Sequence, residues 1–265
     1  MNDWKMRLAS GWNALRFAMR SRLRIRLGRV RLKPAPKAHL YPDAATKRQE
    51  RELLDAYDFG RWRELLGLTD YQLNLYQLDF LHRLQPELAK RLPRALRIVD
   101  VGSRTFYYAP ALFRFFRRHY EVESLTGIEL DAYRRYRNGF TAYDYAQAYL
   151  RELNEPGIVR YEAVDFMKAE APYNVCTLFL PFVTPDPLLH WGLPIGTFQP
   201  ARLIEHAYRR LEQPGVLIVT NKGPEEQQSL HRLLREAGIP FADRGPFTSA
   251  FYAYDVPRYV TLVVK

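Results

Sequence analysis

Two apolar runs constrain this chain more than any other feature: Leu96-Arg-Ile-Val-Asp-Val-Gly102 and, after a helix-like segment, Leu125-Thr-Gly-Ile-Glu-Leu130. A short apolar run closed by an acid and a glycine has the form of a buried parallel strand where it meets a ligand at its carboxyl end. The second run ends in Glu129, about 27 residues after Gly102, near the place where an acid for ribose hydroxyls is expected. Together they predict one βαβ nucleotide-binding unit.

The rest of the composition is compatible with that unit. With 265 residues, 47% apolar and 14% aromatic, the chain can bury one large core and a smaller helical addition beside it. Cys176 is the only cysteine, which excludes an intrachain disulfide and a cysteine-based metal cluster and fits a reducing, cytoplasmic compartment. No run reaches the roughly 18 apolar residues of a membrane span. Arginines also interrupt the N-terminal segment where a secretory signal would need an unbroken apolar stretch.

The charge is concentrated. Residues 1–40 hold eleven lysines and arginines against Asp3 alone, which is ten of the chain's formal +11, so the remainder is nearly neutral. Within this arm Trp4, Leu8, Trp12, Leu15, Met19, Leu23, Leu27 and Val30 recur at spacings of three and four, the apolar stripe of an amphipathic helix. Arg22-Leu-Arg-Ile-Arg-Leu27 also alternates as a strand would; a helix to about residue 27 is favoured, and Gly28 with Pro34-Ala-Pro36 makes 33–44 a linker. Three partners suit the arm: an anionic membrane surface, with the chain then peripheral to it; RNA phosphates; or the chain's own core or a second subunit, which would make a homo-oligomer.

Residues 45–92 predict two or three short helices, one of them N-capped at Thr69-Asp70, with breaks at Pro86 and Pro93. From residue 96 strands and helices alternate. Strands are expected at 96–101, 124–129, 158–164, 174–180, 216–220 and 259–264, with 249–254 pairing the last as a hairpin. Helices are expected at 109–119, 131–153, 200–212 and 225–237. This order implies an α/β fold with a doubly wound, mostly parallel seven-stranded sheet, a terminal antiparallel hairpin and a helical N-terminal extension. The expected divisions are 1–40, the basic arm and linker; 41–94, a helical extension; and 95–265, the Rossmann-like domain.

The order of signals from about residue 95 to 265 resembles the class I S-adenosylmethionine-dependent methyltransferases. The resemblance rests on Val99-Asp-Val-Gly102, Gly127-Ile-Glu129, Ala163-Val-Asp165-Phe166, Tyr173 to Leu180, and the helix, Pro214-Gly215 turn and strand that end at Val219. It implies S-adenosylmethionine as cofactor. Asp100 and Gly102 would then shape the turn beneath its methionine part, Glu129 would accept from both ribose hydroxyls, Asp165 would meet the adenine amino group and Phe166 would pack on the ring. Each acid also reads as the cap of a following helix.

The departure from the family lies in Gly102-Ser-Arg-Thr-Phe106, where Arg104 and Phe106 stand in place of two glycines. Either Arg104 pairs with the cofactor carboxylate while Ser103 and Thr105 donate hydroxyls, or Arg104 and Phe106 fill the pocket and the fold is catalytically silent, a binding or scaffold module working through its arm. The missing glycines weigh further against a dinucleotide site. Methyl transfer needs little acid–base machinery once the acceptor is in line. The loop after strand four leads to His190, a candidate proton acceptor that also reads as an ordinary exposed or packing histidine. The tyrosines from 133 to 149, with Tyr107 and Tyr108, suit either a cleft or helix packing. No metal-ligand spacing is present, and the methyl acceptor is not legible.

Overall fold

Period-two alternation decides how the central strand sits in the computed structural model, which describes the backbone of residues 3–265 and the side chains of 9–265. In β1 (Ala95–Val101), Leu96, Ile98 and Asp100 are buried on one face while Val99 and Val101 pack on the other. β2 (Glu121–Ile128) and β4 (Tyr173–Phe179) flank it in parallel, β3 (Val159–Glu162) lies outside β2, and β5 (Leu211–Lys222) outside β4. Beyond β5, β7 (Arg258–Val264) runs antiparallel, and β6 (Phe241–Phe247) pairs antiparallel with β7 at the edge. The order is β3-β2-β1-β4-β5-β7-β6. This is the expected seven-stranded, mostly parallel sheet with a terminal antiparallel hairpin.

Helices cover both faces. α5 (Ala109–His119) and α6 (Ala142–Leu153) share one face with α2 (Ala44–Ala56), α3 (Gly60–Leu65) and α4 (Leu68–Leu88). Their side chains form a single core with the sheet, in which Trp62, Tyr71, Leu75 and Leu78 join Ile98, Phe113 and Phe116. Residues 41–94 are therefore built into the main core rather than set beside it. α8 (Pro200–Arg210) and α9 (Gly223–Glu236) close the other face through Ile204, Ala207, Leu230 and Leu234. α7 (Pro185–Trp191) lies after β4.

Several boundaries differ from expectation. The partner of β7 is 241–247 and not 249–254, which makes only an isolated bridge between Ser249 and Tyr252. Gly245 and Pro246 disguise that strand, yet an edge position tolerates both, with a register shift between Asp243 and Gly245. The helix expected over 131–153 starts only at Ala142, because Thr141 and Asp144 form a capping box there. α4 begins after Gly67, with no side-chain cap from Thr69 or Asp70, and continues through Pro86 to Leu88. Pro214-Gly215 falls within β5 rather than ahead of it.

The N-terminal helix, α1 (Asp3–Leu23), ends earlier than expected, at a left-handed Arg24 with φ +47°. It docks by the face opposite its stripe. Ser10 accepts from the Ile195 N–H (3.0 Å), Asn13 donates to the Leu189 and Leu193 carbonyls (3.0 and 3.1 Å), and Phe17 packs near Leu188 and Leu189. Arg20 grips the buried Asp131 through two bonds of 2.5 and 2.7 Å and also donates to the Gly192 carbonyl. Docking of the stripe on the chain's own core is thus corrected. Trp12, Leu15, Met19, Leu23 and Leu27 remain exposed, Val30 alone among the described members is buried, and the side chains of Trp4 and Leu8 lie outside the described residues.

Candidate active site

The turn after β1 keeps an unusual backbone. Gly102, Arg104 and Phe106 have φ of +76°, +52° and +53°, so all three positions are left-handed, although only the first is glycine. The Gly102 and Ser103 N–H groups donate to the Ile128 carbonyl (2.9 and 3.2 Å), tying the turn to the end of β2. From α4, the fully buried Asn74 donates to the Tyr107 carbonyl (2.9 Å) and accepts from the Ala111 N–H (3.2 Å), which fixes the turn's far end.

The sequence-predicted residues are divided between the cleft and the core. Asp100 points with Leu96 and Ile98 into the core, where its carboxylate accepts from Thr177 (2.6 Å) and Tyr108 (2.8 Å). Burial pushes its pKa up to about 6, against the opposing pull of those hydroxyls. It is a strut between β1, β4 and the start of α5. Ser103 is also buried, and its hydroxyl donates to the Asp100 carbonyl (2.8 Å), so it is not aimed at a ligand as expected. Thr105 is half-buried and makes no side-chain hydrogen bond among the described residues.

Glu129 stands at the carboxyl end of β2, half-buried. One of its oxygens accepts from the Arg104 N–H and the other from the Asp131 N–H, both at 2.8 Å. Burial raises its pKa, and the two N–H groups oppose the rise. Each oxygen keeps a lone pair for a further donor. Arg104 reaches over the same groove: its Nε donates to the Tyr136 hydroxyl (3.3 Å), its carbonyl accepts from Tyr161 (2.5 Å), and its guanidinium lies 4.7 Å from the centre of the Trp191 ring. It forms no salt bridge among the described residues.

The remaining expectations are placed elsewhere. Asp165 caps a short 3-10 turn, accepting from the Met167 N–H at 3.0 Å. Phe166 is buried on the α8 face against His206 and Tyr173, not toward the cleft, because it follows β3 on the opposite side of the sheet. His190 is exposed on α7 and makes no side-chain hydrogen bond among the described residues. Most of the tyrosines pack, as Tyr133 does on Tyr143 (5.6 Å). Tyr107 and Tyr108 are different, since they line a cavity.

That cavity, of about 120 Å³, opens between α4 and the carboxyl ends of β1, β4 and β5. Gly102 and Arg104 form one wall, Tyr108, Phe179 and Phe247 the apolar sides, and Tyr76 and Gln77 of α4 another wall. The Tyr76 hydroxyl and Gln77 Nε2 are buried with no hydrogen-bond partner among the described residues. Burial raises the Tyr76 pKa, so the phenol is a neutral donor. Unsatisfied polar atoms facing a cavity are where a ligand's polar groups are expected. Sequence reading missed both residues: polar Asn74, Gln77 and Asp79 interleave with apolar neighbours over 74–81, and their burial appears only in the fold.

No family model matches the chain, and no curated protein matches it. Among solved structures it is similar to the magnesium protoporphyrin IX methyltransferase of Synechocystis PCC 6803 with bound S-adenosylmethionine, at 13% identity over 84% of this chain and 99% of that one, TM-score 0.49. It is also similar to a S-adenosylmethionine-dependent methyltransferase from Aquifex aeolicus (14%, 71% and 97%, TM-score 0.46). An rRNA methylase from Streptococcus thermophilus is a third (14%, 70% and 95%, TM-score 0.44). At such identities the function has to be read from the chain's own residues.

Proposed function

We propose that the chain binds S-adenosylmethionine across the carboxyl ends of β1 and β2 and transfers its methyl group to an acceptor held in the aromatic cavity beside Gly102. One observation carries this reading: the left-handed 102–106 turn abuts the Glu129 carboxylate on one side and a cavity with two unpartnered polar atoms on the other. The residues fit the cofactor's groups. Glu129 has acceptor capacity for ribose hydroxyls, the unpaired Arg104 guanidinium suits a carboxylate, and a Cβ at Gly102 would meet nothing within 4 Å. When bound, the cofactor supplies an electrophilic methyl on a sulfonium.

The chain's own contribution is then positioning. Tyr108, Phe179 and Phe247 exclude water from the acceptor side, while Tyr76 and Gln77 orient a polar group on the acceptor by donating to it. Arg104 has to leave Tyr136 and Trp191 to meet a carboxylate, so those contacts hold it in reserve across the groove.

Titration calorimetry with S-adenosylmethionine tests the reading. Glu129→Ala and Arg104→Gly are each expected to weaken binding by roughly tenfold or more, the worth of a charge-assisted hydrogen bond. Absence of heat at millimolar cofactor in the wild type would leave the catalytically silent fold. Tighter binding by Arg104→Gly would show that the arginine plugs the groove instead of serving it.

A further inference from the structure

The outward face of α1 is an unpartnered apolar stripe among the described residues. Trp12, Leu15, Met19 and Leu23, spaced three and four apart, continue into Ile25 and Leu27, and all six are between 51% and 58% exposed. The helix is anchored by the opposite face, through Ser10, Asn13, Phe17 and Arg20, so the stripe is held outward by the fold. Arginines flank it: Arg16 stacks at 4.9 Å from the Trp12 ring, and Arg22, Arg24, Arg26, Arg29 and Arg31 follow.

Beside the stripe runs a groove of about 600 Å³ with two unlike walls. Met19, Leu23 and Ile25 form the apolar wall, and Arg16, Arg134 and Arg135 the basic one. Arg134 Nη1 is buried with no hydrogen-bond partner among the described residues, while the guanidinium sits 4.5 Å from the Trp191 ring centre. The nearby acid, Asp131, is already neutralised by Arg20. A cationic wall facing an apolar one matches a molecule with a phosphate at one end and hydrocarbon at the other.

We infer that this face lays the chain on an anionic phospholipid bilayer, with α1 and residues 24–27 in the interface and a lipid phosphate in the Arg16–Arg134–Arg135 groove. No helix among the described residues is long and apolar enough to cross a membrane, so the association is with the surface. A second copy fits poorly, because pairing two such faces would bring two arms of like charge together. RNA would use the arginines and leave six large apolar side chains in water. The groove shares Trp191 with Arg104, which places the lipid surface next to the proposed cofactor cleft.

Vesicle flotation of the full chain tests this independently of cofactor binding. The expected result is binding to equimolar phosphatidylcholine–phosphatidylglycerol vesicles and at least about tenfold weaker binding to phosphatidylcholine alone. The triple variant Leu15→Gln, Met19→Gln, Leu23→Gln changes only exposed side chains and is expected to lose roughly tenfold or more. The pair Arg134→Gln and Arg135→Gln is expected to lose roughly thirtyfold, from about 1 kcal/mol per basic residue; unchanged circular dichroism verifies the fold of both. Glycerol phosphate at millimolar concentration is expected not to displace the vesicles, which separates a bilayer from a free phosphate ligand. Equal binding to neutral vesicles, or full binding by the triple variant, overturns the proposal. So does a dimer that the triple variant dissociates, or RNA binding tighter than vesicle binding and unaffected by that variant.

Discussion

Replacing Asp100 by Asn tests whether the acid of the first strand is a buried strut. Its carboxyl is fully buried and its pKa is raised from 3.8 to about 6. Keeping it ionised in the core therefore costs about 3 kcal/mol, at 1.36 kcal/mol for each pKa unit. For an acid with a raised native pKa, the folded state binds the proton more tightly than the unfolded chain does. The stability gained from protonation is complete below pH 3.8 and is lost as pH rises through about 6. Asn cannot ionise and lacks this dependence, and its amide, like the protonated carboxyl, turns a donor toward either Thr177 or Tyr108. The variant therefore gains about 3 kcal/mol on the wild type across this interval. Urea unfolding of both proteins from below pH 3.8 to above pH 6 measures it, and the contributions of all other carboxyls cancel in the difference. Parallel curves would refute the reasoning, since they would mean that Asp100 is not ionised at a cost.

Gly127→Ala is expected to destabilise by about 1–3 kcal/mol in thermal unfolding, because its Cβ would fall 2.8 Å from the Phe106 ring and 2.9 Å from the Ser103 hydroxyl. Adding Phe106→Leu should recover part of that loss. Asp131→Asn removes the charge that Arg20 grips, and trypsin cleavage at Arg22 and Arg24 is expected to accelerate roughly tenfold while the core melting temperature changes little.

The sheet was legible because β1, β2, β4, β5 and β7 are apolar runs bounded by helix signals, and buried parallel strands need little else. β6 was not. Asp243-Arg-Gly-Pro246 has no strand signature of its own, and β7 supplies its pairing. The end of the 131–141 segment could have been found, since Asn138-Gly139 marks a turn and Thr141-x-x-Asp144 a helix start. In the site, acids at strand ends were easy to nominate, but their orientation depends on strand period: Asp100 shares a face with Leu96 and Ile98, whereas Glu129 follows the last residue of its strand. Tyr76 and Gln77 reach the cavity from a helix about 25 residues upstream of the motif, and only tertiary packing brings them there. The arm's periodicity identified the stripe correctly and could not say which face docks, because Ser10, Asn13 and Arg20 bind carbonyls, an amide and an acid that lie far away in sequence.

The 102–106 turn holds a left-handed backbone at two positions that are not glycine. A left-handed residue other than glycine costs about 1–2 kcal/mol, so Arg104 and Phe106 hold their conformations only because their surroundings impose them. For Arg104 the restraints are its N–H on Glu129 and its carbonyl on Tyr161. For Phe106 they are its N–H on the Ser103 carbonyl (2.7 Å) and a ring seated where Gly127 has no side chain. The space that glycine at position 106 would leave is thus used for core packing, with Gly127 as the compensating absence one strand away. Position 104 has no such use in the core, since its side chain is exposed and bears a charge over the cleft with no salt bridge among the described residues. Backbone ease alone would favour glycine there, and Arg104→Gly should relieve strain of about 1 kcal/mol while giving up the Tyr136 and Trp191 contacts. On the proposed function a cofactor carboxylate accounts for an arginine in a strained position beside Glu129, and its replacement separates the cofactor-binding reading from the silent one.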